Sequence, residues 1–141
     1  MSYEEKNTWA FGIIAVAGYV TYLVVLLSQS ETPLTATPYV LPMLSTIGGA
    51  ILAGIIAGIV IGISSGPDRE KKDQRDRQIY RRGEYIGHAF VLAGAIVALL
   101  LAMLEADTFW IANVIYLAFV LAAVAATIVK ITAYRRGFAQ W

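Results

Sequence analysis

Four long apolar stretches, at about 9–27, 40–63, 85–104 and 109–131, alternate along the chain with short polar segments. A helix rising 1.5 Å per residue needs about 20 residues to cross a hydrocarbon layer of ~30 Å. Each stretch therefore predicts one membrane-spanning helix. Four spans take up most of 141 residues, so a single domain, 1–141, is expected, with no room for a soluble catalytic module.

Polar residues mark the ends of these elements. Asn7 or Thr8 is positioned to cap the first helix, and Pro33 and Pro38 keep the loop 28–39 irregular. Pro42 suits the first turn of the second helix, where amides lack intrahelical partners anyway. Ser64-Ser65-Gly66-Pro67 ends that helix. No strong breaker separates the charged segment 66–82 from the third span. A helix is therefore expected from about Glu70 to Leu104, with Gly83 its weak point. Four residues, Glu105 to Thr108, make a tight hairpin into the fourth helix, with Asp107 or Thr108 as its cap.

Charge then fixes orientation. All 11 Lys and Arg residues lie on one side of the four spans: Lys6, the seven in segment 66–82, and Lys130, Arg135 and Arg136. Loops 28–39 and 105–108 carry none. Basic residues flanking spans stay on the cytoplasmic side. The expected fold class is thus an all-α integral membrane protein, a four-transmembrane-helix bundle. Its N and C termini are cytoplasmic, and its third helix extends into the cytoplasm. A hydrophobic content of 58% and a mean hydropathy of +0.65 agree. Glu4 and Glu5 oppose Lys6 ahead of the first span, which argues for a retained span over a cleaved signal. With no cysteine, thiol chemistry and Cys-ligated metals are excluded.

Two motifs bear on packing. Ala50, Gly54, Gly58 and Gly62 recur every four residues, a small-residue ridge that lets another helix approach closely. Its partner is a helix of the same chain or, alternatively, a second copy across a homodimer seam. Ala118, Ala122 and Ala126 form a similar ridge on the fourth helix, and Asn113 is expected to bond across helices.

Candidate chemistry concentrates at Arg81, Glu84, Tyr85 and His88. Glu84 and His88 stand one helical turn apart on one face. The single histidine, just inside the apolar boundary, suggests a ligand contact or proton sensor; the plainer reading is a hydrogen bond to Glu84 or a neighbouring helix. A metal needs three or four ligands, so neither metal nor cofactor is expected. Arg75, Arg77, Arg82, Arg135 and Arg136 are candidates for lipid head-group or protein-partner contact. Opposite charges four apart, Arg69/Asp73, Lys72/Asp76 and Asp73/Arg77, would support a solvated helix there. No nucleophile–base arrangement, phosphate-binding loop or nucleic-acid signature appears, so an enzyme or a direct nucleic-acid binder is not expected.

The run Lys72-Asp73-Gln74-Arg75-Asp76-Arg77-Gln78-Ile79, then Arg82-Gly83-Glu84-Tyr85-Ile86-Gly87, resembles the Lys-Asp-Glu-Arg-Asp motif before the third span of a family of small four-span bacterial, often actinobacterial, membrane proteins. The closing Ala133-Tyr134-Arg135-Arg136-Gly137-Phe138 is similar as well, while Gln74 stands where that family has an acid. No activity has been assigned to the family, so the resemblance implies the four-span layout and no catalytic residue. Three functions stay open: regulation or scaffolding through the charged cytoplasmic face, transport by a small dimeric transporter or channel, and lipid binding. Membrane lipids, a second copy and a cytoplasmic protein are the expected partners.

Overall fold

A computed structural model describes residues 2–67 and 74–136. Four helices occupy nearly all of them: α1 Tyr3–Ser28, α2 Val40–Ser65, α3 Gln74–Met103 and α4 Thr108–Arg136. Among the described residues there is no strand. Each helix is long and apolar enough to span a membrane. Only 11–28% of each apolar window is buried within the protein, leaving side chains such as Ile63, Leu41 and Met103 outward. So much exposed apolar surface is compatible with a lipid surround. The start of the charged segment (68–73), with its expected helix start and ion pairs, and the tail 137–141 lie outside the described residues.

The helix ends follow local chemistry, with one correction. Ser2, rather than Asn7 or Thr8, caps α1: its Oγ accepts a hydrogen bond from the Glu5 amide at 3.2 Å. Glu4 and Glu5 then fall in the first turn, beside the positive end of the helix dipole. Thr8 instead donates back to the Glu4 carbonyl within the helix. At the end of α2, Gly66 takes φ +52° and ψ −129°, a conformation open only to glycine. The α3–α4 turn is closed by paired bonds from the Glu105 amide to the Ala102 carbonyl and from the Ala106 amide to the Leu101 carbonyl. This is a Schellman arrangement, with Glu105 at φ +54° where glycine usually sits. Asp107 Oδ1 accepts from the Phe109 amide at 3.0 Å and starts α4.

Three packed pairs build the molecule: α1 with α2, α1 with α4, and α3 with α4. The buried core lies where α2 and α4 begin and α1 ends. There Tyr22, Leu26, Phe109 and Tyr116 pack with Tyr19, Tyr39 and Met43. Tyr22 and Tyr116 meet edge to face at 5.0 Å. Their hydroxyls are satisfied: Tyr22 donates to Asn113 Oδ1 at 2.5 Å, and Tyr116 pairs with Thr46 Oγ1 at 3.2 Å. Asn113 therefore bonds across helices, as its position suggested. The 28–39 loop contains one turn of 3-10 helix, Leu34–Ala36, and is drawn in by Thr37, which is 2% exposed and accepts from the Glu31 amide.

At the opposite end, Arg75 on α3 donates to the Ala133 and Tyr134 carbonyls of α4. Arg135 of α4 lies 3.8 Å from Glu5 and 5.8 Å from the centre of the Trp9 ring of α1. The first residues of α1 and the last of α4 thus share one side of the molecule with the start of α3. Antiparallel succession of four helices requires this arrangement.

Candidate functional site

The tightest packing falls on a ridge not singled out from the sequence. Gly83, Gly87, Gly94 and Ala98 line the buried face of α3 and meet the α4 ridge Ala118, Ala122 and Ala126, which is also buried. A Cβ on Gly94 would overlap the Ala118 Cβ, and one on Gly87 would lie 3.1 Å from the Ala122 carbonyl oxygen. The signal was present as small residues at spacings of four, seven and four. By contrast, the α2 ridge divides. Ala50 packs near Gly18, Gly54 is covered by the Phe11 ring, Gly58 has nothing within 4 Å, and Gly62 is buried.

Gly83 has a specific use. The Lys130 stem lies across it, so that a Cβ there would come within 2.5 Å of Lys130 Cε. Lys130, whose side chain is only 13% exposed, reaches over the α3 backbone to Glu84 Oε1 at 2.8 Å. Its ammonium also stands 4.5 Å from the centre of the Tyr80 ring. The long apolar stem packs while the charged head reaches polar partners. Lys130 is thus the central residue of this cluster; sequence reasoning assigned it only to the inner end of α4. A lysine at the end of an apolar stretch, facing a glycine-bearing helix that also carries a carboxylate, is the signal that was there to use.

Of the four clustered candidates, Glu84 is therefore paired with Lys130 and not with His88. His88 is exposed and has no hydrogen-bond partner among the described residues, and neither has Arg81. Both side chains, with Tyr85 and Glu84, line a cleft of about 710 Å³ whose floor is Ala122, Ala123 and Ala126 of α4. A smaller cavity of about 350 Å³ shares Tyr80, Glu84, Ala123 and Ala126 with it and is closed by Asn7, Thr8 and Phe11 of α1. The Asn7 amide oxygen is buried there without a partner. A third space, about 520 Å³ and apolar, continues along α4 past Phe119 and Ala123 between α1 and α2, reaching Gly54. These three spaces share α4 as a floor. Ala123 of α4 lines all three, and α2 and α3 are not among the closely packed helix pairs.

The remaining cationic candidates differ in surroundings. Arg75 is committed to the end of α4 and Arg135 to Glu5 and Trp9. Arg77 and Arg136 are exposed, and Arg82 is half-buried. No group of three or more His, Cys, Asp or Glu able to hold a metal occurs among the described residues. A separate groove of about 730 Å³ between α1 and α2 is lined by Gly18, Thr21, Ser45 and Thr46. Its hydroxyls donate to carbonyls of their own helices, which leaves that surface nearly apolar in character. Comparison with protein-family models, curated proteins and solved structures finds no match to this chain.

Proposed function

We propose that this chain is a non-enzymatic, multi-pass protein of the bacterial inner membrane that serves as a regulatory or scaffolding partner through its cationic cytoplasmic end. Its termini, and the first turns of α3, lie in the cytoplasm. The positive-inside distribution supports that orientation, and the common side shared by the ends of α1 and α4 is consistent with it. The 11 residues from Gln74 to Glu84 then carry α3 about 16 Å beyond its apolar part. The observation that carries the reading is the Arg75 brace. By capping the last carbonyls of α4, it joins two helix ends into one surface bearing Arg77, Arg82 and Arg136. A fixed surface loses less conformational freedom when a partner docks.

The rival reading as a dimeric transporter or channel would want an acid in mid-membrane. The carboxylates of α3, Asp76 and Glu84, both precede its apolar stretch, which counts against it.

Two experiments test the proposal. The natural chain lacks cysteine, so a single Arg77→Cys substitution reports topology without background. Labelling only after permeabilisation is expected; labelling of intact cells would invert the orientation. Affinity purification from native membranes should then recover a partner that Arg77→Glu combined with Arg136→Glu loses. Identical recovery by wild type and the reversed variant would refute the partner role.

A further inference from the structure

The spaces that meet at Ala123 of α4 form a chemical gradient along that helix. At the end shared by the starts of α1 and α3 it is polar: Arg81 and His88, which have no partner among the described residues, the Glu84–Lys130 pair, and the buried Asn7 Oδ1 without a hydrogen bond. One to two turns further in, it becomes almost entirely apolar, with Phe119 and Ala123 on its floor and Gly54 at its far wall. A buried amide without a hydrogen bond is costly, and more so where water is scarce. A cavity holding one is therefore built for a ligand or water that supplies a donor. An unpaired guanidinium at the depth where apolar residues begin stands where lipid phosphates lie, and it matches a phosphate's planar pairs of oxygens.

From this gradient we propose that the groove binds one membrane phospholipid. The phosphodiester sits on Arg81, with His88 beside it. A hydroxyl or ammonium of the head group donates to Asn7. One acyl chain lies along α4 over Ala123 toward Gly54, covering the half-exposed Phe119. Glu84 does not repel the phosphate, because Lys130 neutralises it. The site is distinct from the cationic surface above and does not depend on a protein partner. Only the naming of its leaflet as cytoplasmic rests on the orientation proposed there.

The test is native mass spectrometry of the full chain, reconstituted with phosphatidylglycerol or phosphatidylethanolamine and released from detergent. Circular dichroism on every variant establishes helix content. Wild type should retain one phospholipid per chain. Arg81→Ala should weaken retention about fivefold, the effect of roughly 1 kcal/mol for one interfacial base. Ala123→Leu, which fills the apolar floor and leaves every charge in place, should abolish retention while the fold persists. Stronger retention of phosphatidylglycerol by wild type would place the dominant contact on Arg81; stronger retention of phosphatidylethanolamine would place it on Asn7. Either order supports the site, provided that Ala123→Leu removes it. Three results would overturn the proposal. One is retention unchanged in both variants. Another is binding of free glycerol phosphate that Ala123→Leu does not alter, which would mean a soluble phosphate ester. The last is a lipid-free dimer as the sole species, in which a second copy covers the groove.

Discussion

Two ridges of small residues run through this molecule, and the more regular one does less. On α2 a small residue recurs every fourth position from Ala50 to Gly62, yet Gly58 meets no neighbour and Gly54 meets an aromatic ring. On α3 the spacing is uneven, yet Gly83, Gly87 and Gly94 are all buried. The difference lies in the partner. In lipid, apolarity does not drive helices together; close approach and dispersion do. Close approach needs small residues on both sides. α4 offers Ala118, Ala122 and Ala126 to α3, whereas α1 offers one small residue, Gly18, to Ala50 and then Phe11 to Gly54. A repeat in one helix records permission to approach, and only its complement makes a contact.

Substitutions along the two ridges should separate them. Gly94→Leu would force a side chain into the Ala118 backbone. A loss of about 2–3 kcal/mol is expected, read as a lowered midpoint of unfolding in detergent. An unchanged midpoint would break the claim that this seam holds α3 to α4. Asn113→Ala removes the bond joining α1 to α4 and should cost about 1 kcal/mol. In a double-mutant cycle with Tyr22→Phe the two losses should not add. Lys130→Met keeps the stem over Gly83 and deletes the ammonium. Because Glu84 is more than half exposed, less than about 1 kcal/mol should be lost. Lys130→Ala, which also strips the packing, should cost more. The smallest effect is expected from Gly58→Leu, within about 0.5 kcal/mol in the monomer. If that variant instead disrupts an oligomer seen by cross-linking in membranes, the α2 ridge is a seam between copies.

The layout was legible because its causes are local. Apolar length gives four helices, Gly66-Pro67 stops α2, and the short 105–108 segment obliges α3 and α4 to be neighbours. Asn113 was legible as an interhelical bonder because few other outlets exist for an amide inside an apolar stretch. The start of α1 was misplaced because the apolar pattern begins after the helix does; the capping serine and the acids that follow it set the true start. The candidate site was half legible. Arg81, Glu84, Tyr85 and His88 do share one cleft, since helical spacing puts them on neighbouring faces. Glu84 pairing with Lys130, 46 positions away, and Asn7 closing the same space, are facts of tertiary packing. Nothing in the spacing of α3 alone could report them. Gly83 illustrates the limit well: read as a weakness in a helix, it is the gap through which a lysine stem passes.

The turn at Glu105 has a consequence for biogenesis. Because the end of α3 satisfies its own carbonyls within the turn, and Asp107 starts α4 two residues later, the pair needs nothing from α1 or α2 to fold back on itself. The second half of the chain can therefore close as a helical hairpin by itself, its glycine seam zipped without help from the first half.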